Sequence, residues 1–143
     1  MAAADGFSIA ATVVLLFPMI YFAIATLTFF LARMSDPVAT WLLRGLFKTY
    51  FRVVTVFGLL GVAAFAMAGK PGVTLGFTLF VILALVAGRF FIQRMDAQIA
   101  ARDAGNPHAA RSIRRLHVGG VTYNLVLMAV IIGCTPYMLP SPN

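Results

Sequence analysis

The stretch VVTVFGLLGVAAFAMAGKPGVTLGFTLFVILALVAGRFFI, residues 53–92, decides the fold. It holds two apolar runs, Val53 to Gly69 and Val73 to Ile92, parted by Lys70-Pro71-Gly72. Each is near the roughly 20 residues that cross a hydrocarbon core of about 30 Å. Neither alternates polar and apolar residues as a barrel strand does, and a backbone in lipid must satisfy its own hydrogen bonds, so both runs predict helices. The connection between them is so short that the two helices are expected side by side and antiparallel. The first run is the shorter, and its helix is expected to start before Val53, with Arg52 snorkelling to the interface.

Two more runs of this kind flank the pair, Phe7 to Leu31 and Val118 to Leu139. The expected architecture is therefore an all-α integral membrane protein, one four-helix domain over residues 1–143 with spans at about 7–31, 53–69, 73–92 and 118–139. Composition agrees: the chain is 62% hydrophobic and 10% charged, with a mean hydropathy of +0.96. Soluble domains carry about 25% charged residues, and a soluble ball of this composition could not cover its surface with polar groups. The first run is too long for a signal-peptide core and reads as a retained span.

The few charges fall in a pattern. Arg33, Arg44, Lys48 and Arg52 lie between the first and second spans, and Arg89, Arg94, Arg102, Arg111, Arg114 and Arg115 lie around the connection from the third to the fourth. Of eleven Lys and Arg only Lys70 falls on the other side. The positive-inside rule then predicts cytoplasmic long connections and both termini outside, in a bacterial inner membrane. The net charge of +7 points to anionic headgroups as counterions, not nucleic acid.

Both long connections carry helix signals. Ser35-Asp36-Pro37 is a cap followed by proline at the first helical position. From there Arg44, Lys48 and Arg52 recur every four residues, with Trp41, Leu42, Leu46 and Phe47 for an apolar side. This reads as a cytoplasmic amphipathic helix in which Trp41, Arg44, Lys48 and Arg52 meet headgroups or an acidic partner. In the second connection the stripe Phe91, Met95, Ile99 extends the third helix past the membrane. Gly105 suits its end, and Asn106-Pro107 starts the return arm of a helical hairpin.

Chemistry is sparse in this sequence. No Asp, Glu, Lys, Arg or His lies centrally in a span, which argues against ion-coupled transport. There is no glutamate, and the aspartates Asp5, Asp36, Asp96 and Asp103 read as tail or loop residues. No carboxylate pair for catalysis and no metal-ligand spacing results, so no enzymatic activity is expected. The lone Cys134 excludes an internal disulfide framework, and Pro136 disturbs any soft-metal pairing with Met138.

His108 and His117 are nine residues apart, about 13–14 Å along one helix, too far to grip one haem within a protomer. Arg114, His117 and Asn124 share one helix face with Gly120 between them. That face is the candidate seat for a quinone, a haem shared across a dimer, or a lipid headgroup; the alternative is hydrogen bonding to a neighbouring helix. Pro18 predicts a kink in the first helix. Small residues, among them Gly58, Gly61, Gly76, Ala84, Gly88, Gly119, Gly120 and Gly133, predict tight packing rather than a pore.

The string Arg114-Arg115-Leu116-His117 with Asn124-Leu125, together with Arg89-Phe90-Phe91-Ile92-Gln93-Arg94-Met95, resembles an uncharacterised family of four-helix bacterial membrane proteins. That family is similar to eukaryotic transmembrane protein 205 and, distantly, to copper resistance protein D. The resemblance covers mainly the second to fourth helices. It implies a four-span protein of unestablished activity with a link to metal or drug handling.

The leading expectation is a non-enzymatic membrane protein that works by packing, as an accessory or assembly subunit or as a homo-oligomer. Binding of a quinone, lipid or haem is the second expectation. Transport of a small hydrophobic or soft-metal solute is the third.

Overall fold

The computed structural model describes the backbone of residues 2–138 and the side chains of residues 6–138. Leu139, the expected end of the fourth span, lies outside the described residues, as do Met1 and the side chains of the cation-free start up to Asp5. Four helices make up the fold: α1 Ala2–Leu31, α2 Pro37–Met67, α3 Pro71–Asp103 and α4 Ala109–Met138. Each is long and apolar enough to cross a membrane, and no strand occurs among the described residues.

The helix boundaries have local causes. The Asp36 side chain accepts from the Val38 N–H at 2.9 Å, and Pro37 supplies the first helical residue of α2. At its far end α2 stops at a left-handed glycine, Gly69 at φ +66°. There the Lys70 N–H bonds the Phe65 carbonyl and the Gly69 N–H bonds that of Ala66, which satisfies two orphaned carbonyls. The same motif ends α3, where Gly105 at φ +85° precedes an Asn106 N–H bonded to the Ala101 carbonyl. Asn106 then accepts from the His108 N–H at 2.9 Å, and α4 begins at Ala109, two residues past Asn106-Pro107-His108 would suggest if proline opened the helix.

The expected amphipathic helix and second span are one uninterrupted helix, α2. Its basic half is not a separate surface element, because Leu43, Phe47, Tyr50 and Phe51 are buried in the bundle while Trp41 and Leu42 stay outside. Asp96 and Asp103, read as loop acids, are also helical: the buried Met95 and Ile99 carry α3 on to Asp103.

The helices run up and down, each beside its neighbours in sequence, and α1 closes the ring against α4. The most extensive contact is between α2 and α3. It depends on glycines: a Cβ at Gly58 would come within 2.7 Å of Val81, one at Gly61 would strike the Phe77 ring, and one at Gly88 would sit 3.1 Å from Phe51. Between α4 and α2 the Phe47 ring lies directly over Gly120. These rings belong to an aromatic core in which Phe22 stacks on Tyr50 at 4.1 Å and Phe51 on Phe91 at 6.0 Å. Outside, large apolar side chains such as Phe17, Leu59, Val86 and Val126 are exposed on all four helices, the exterior expected of a chain solvated by lipid.

Candidate functional site

Arg114, His117 and Asn124 do share a face of α4, and that face is turned toward α1. Arg114 reaches the end of α1 and donates to the Phe30 and Ala32 carbonyls, both at 2.9 Å. These belong to the last turn and the exit of α1, where carbonyls lack helical partners and a cation is favoured. Asn124 is fully buried; its amide donates to the Met19 carbonyl at 3.0 Å, and its oxygen accepts from the Tyr50 hydroxyl at 2.6 Å. A single polar node thus joins α1, α2 and α4.

His117 is also fully buried, packed against Phe30 with ring centroids 4.6 Å apart and edge-on to Phe29. The Thr26 carbonyl is the polar group alongside it, yet neither ring nitrogen makes a hydrogen bond of acceptable geometry. The Tyr123 hydroxyl is likewise buried without a partner. His108 precedes α4 and is exposed, so the two histidines occupy unlike surroundings.

The basic stripe divides. Arg44 makes a bidentate ion pair with Asp96 of α3, one arm of it at 2.9 Å, and its guanidinium also lies 5.6 Å over the Trp41 ring. The Arg44 hydrogen bond holds the Asp96 carboxyl below its ordinary range, against a smaller opposing effect of burial, and the same bond raises Arg44. Arg102 bridges back to α2 through the Thr40 hydroxyl and pairs with Asp103 at 2.7 Å. Lys48 and Arg52 are exposed. At the other end of the bundle the Lys70 ammonium donates to the Met138 carbonyl at 2.6 Å.

Sequence reading missed Tyr50 and Asp96. Tyr50 follows Leu43 and Phe47 at helical spacing and precedes Val54, so its ring belongs to the core face and its hydroxyl needs a buried acceptor. Asp96 follows the buried Met95 on a helix whose continuation was legible, and an acid there faces the basic half of the antiparallel neighbour. Cys134 and Met138 differ in surroundings: Cys134 is exposed, whereas Met138 is buried and its thioether accepts from the Thr12 hydroxyl of α1 at 3.8 Å. Among the described residues no group of three or more His, Cys, Asp or Glu could hold a metal ion.

The fold and its apolar exterior define the class, an all-α protein of four helices each long and apolar enough to cross a membrane. No protein family, curated protein or solved structure matches this chain.

Proposed function

We propose that the chain is a non-enzymatic subunit of the bacterial inner membrane that works by helix packing, assembling with other membrane chains or with itself, its basic end in the cytoplasm. The observation that carries this reading is how the polar side chains between helices are used. Asn124, Tyr50, Arg114 and the Arg44–Asp96 pair each close a contact between two or more helices. Polar side chains in membrane proteins otherwise serve solutes or cofactors; these hold helices together, Asn124 and Tyr50 inside the bundle and Arg114 and the Arg44–Asp96 pair at its partly exposed basic end.

The face offered to a neighbour is a groove of about 530 Å³ between α3 and α4, walled by Leu79, Leu83 and Val130 and floored by Gly72 and Gly76. A Cβ at either glycine would meet nothing within 4 Å, so internal packing does not use them. Spaced by four residues, they allow close approach of another helix. Cys134 lines the same groove. Purification in mild detergent tests the reading, combined with oxidative crosslinking through Cys134 in native membranes. A discrete complex with itself or with co-purifying chains is expected; a lone monomer with no companion overturns it.

A second reading, binding of a haem or quinone, is favoured by one observation: the buried imidazole of His117 has no hydrogen-bond partner. A ligand there requires Phe29 and Phe30 to move aside. An absorption spectrum and mass spectrometry of extracted small molecules test it, and absence of both a Soret band and a quinone ends it.

A further inference from the structure

The cations at the basic end fall into two groups. Arg44, Arg102 and Arg114 are each tied to a protein acceptor on another helix or at its end. Lys48, Arg52 and Arg89, like Arg33, Arg111 and Arg115, are exposed, and their side chains form no ion pair or hydrogen bond with any described residue. The nearby acid, Asp96, has both carboxylate oxygens bonded to Arg44 and acts on Lys48 only through space.

Lys48, Arg52 and Arg89 come from two helices and surround one groove. It lies between α2 and α3, has a volume of about 720 Å³, and is floored by Ala84 and Gly88. Val56, Leu85 and Ile92 give it apolar walls, while Thr55 and Gln93 add neutral hydrogen-bonding groups. The grooves at α1/α2 and at the Gly72 end of α3/α4 have no cation in their linings. A smaller one near Arg94 and Arg115 is partly satisfied internally, since Arg94 lies 5.6 Å over the Phe90 ring. Arg89 sits three residues inside the apolar run 73–92, about 4.5 Å below its end, which is the depth of a lipid phosphate rather than of bulk water.

We propose that this groove seats one anionic phospholipid from the bilayer, its phosphate held by Lys48, Arg52 and Arg89 and one acyl chain lying along Val56 and Leu85. Three cations with no hydrogen-bonded or ion-paired partner, facing an apolar channel, complement one ligand chemistry, an anion covalently joined to a hydrocarbon chain. A soluble phosphate satisfies only half of that. The site is independent of whether the α3/α4 groove takes a partner.

The test is native mass spectrometry of the protein in nanodiscs, comparing phosphatidylglycerol with phosphatidylcholine of identical chains. A triple variant Lys48→Gln, Arg52→Gln, Arg89→Gln is set against a control, Arg33→Gln, Arg111→Gln, Arg115→Gln, that removes the same charge elsewhere. With each headgroup cation contributing about fivefold, the groove variant should retain phosphatidylglycerol at least tenfold less well, and the control should stay within about twofold of wild type. Equal losses in the two variants, equal retention of both lipids, or no retained lipid overturns the proposal. If the groove triple fails to fold, Arg89→Gln alone must show about a fivefold loss, and its absence has the same consequence.

Discussion

The Tyr50 hydroxyl and the Asn124 amide oxygen meet 2.6 Å apart across the diagonal of the bundle, joining two helices that are not neighbours in the ring. Both residues are buried, and Asn124 is also bonded to α1. Interhelical hydrogen bonds in lipid contribute about 0.6 kcal/mol on average and up to about 1.7. Tyr50→Phe should therefore destabilise by about 0.5–1.5 kcal/mol. Asn124→Leu should cost about 2 kcal/mol or more, because it orphans the hydroxyl and the Met19 contact together. A double-mutant cycle on unfolding in detergent should give a coupling of about 1 kcal/mol; a value of zero means the bond is not made.

Glycines with and without room should separate cleanly. Gly120→Ala drives a methyl into the Phe47 ring and Gly61→Ala one into Phe77, so each should lose about 1–3 kcal/mol. Phe47→Leu should relieve part of the first loss. Gly76→Ala meets open space and should be neutral or stabilising within about 1 kcal/mol, since alanine is the better helix former. Thermal melts of the four variants check this ranking.

Arg114 closes the end of α1 with two hydrogen bonds to backbone carbonyls. Arg114→Ala should cost about 1–2 kcal/mol and speed amide exchange in the last turn of α1 and the linker to α2. Arg114→Lys should recover only part of the protection, because an ammonium lacks the fork that spans both carbonyls. Residue-resolved hydrogen exchange distinguishes the three proteins.

The Arg44–Asp96 pair predicts an acid-sensitive contribution. Hydrogen bonding to Arg44 keeps the folded Asp96 carboxyl below its ordinary value, so the folded state binds that proton less readily than the unfolded state. The stabilisation is complete above the ordinary value, about pH 4, and is lost as pH falls through the lowered folded value. Both side chains are partly exposed, so solvent screening limits the effect to about 0.3–1 kcal/mol. Melts between neutral pH and about pH 2.5 should show it in wild type, and Asp96→Asn should remove it.

Sidedness has a direct measurement. In a Cys134→Ser background, Gly72→Cys should react with a membrane-impermeant maleimide added to intact cells, and Ala104→Cys only after permeabilisation. The opposite pattern inverts the orientation.

Four spans, the Lys70-Pro71-Gly72 turn, the Asp36 cap, the Gly105 stop and the extension of α3 were all legible in the sequence, because each rests on short-range causes: run length, capping side chains, glycine conformation and helical period. The shared face of Arg114, His117 and Asn124 was legible too, since spacing alone puts residues on one side of a helix. What that face meets was not. Only the tertiary structure turns it toward α1, assigns Asn124 to Tyr50 and Arg44 to Asp96, and merges the amphipathic segment into α2, because lipid-facing and protein-facing apolar stripes have the same composition and partners come from helices distant in sequence. The sorting of the cations into tied and unpaired groups is likewise a tertiary fact, fixed by which helices lie side by side and at what register.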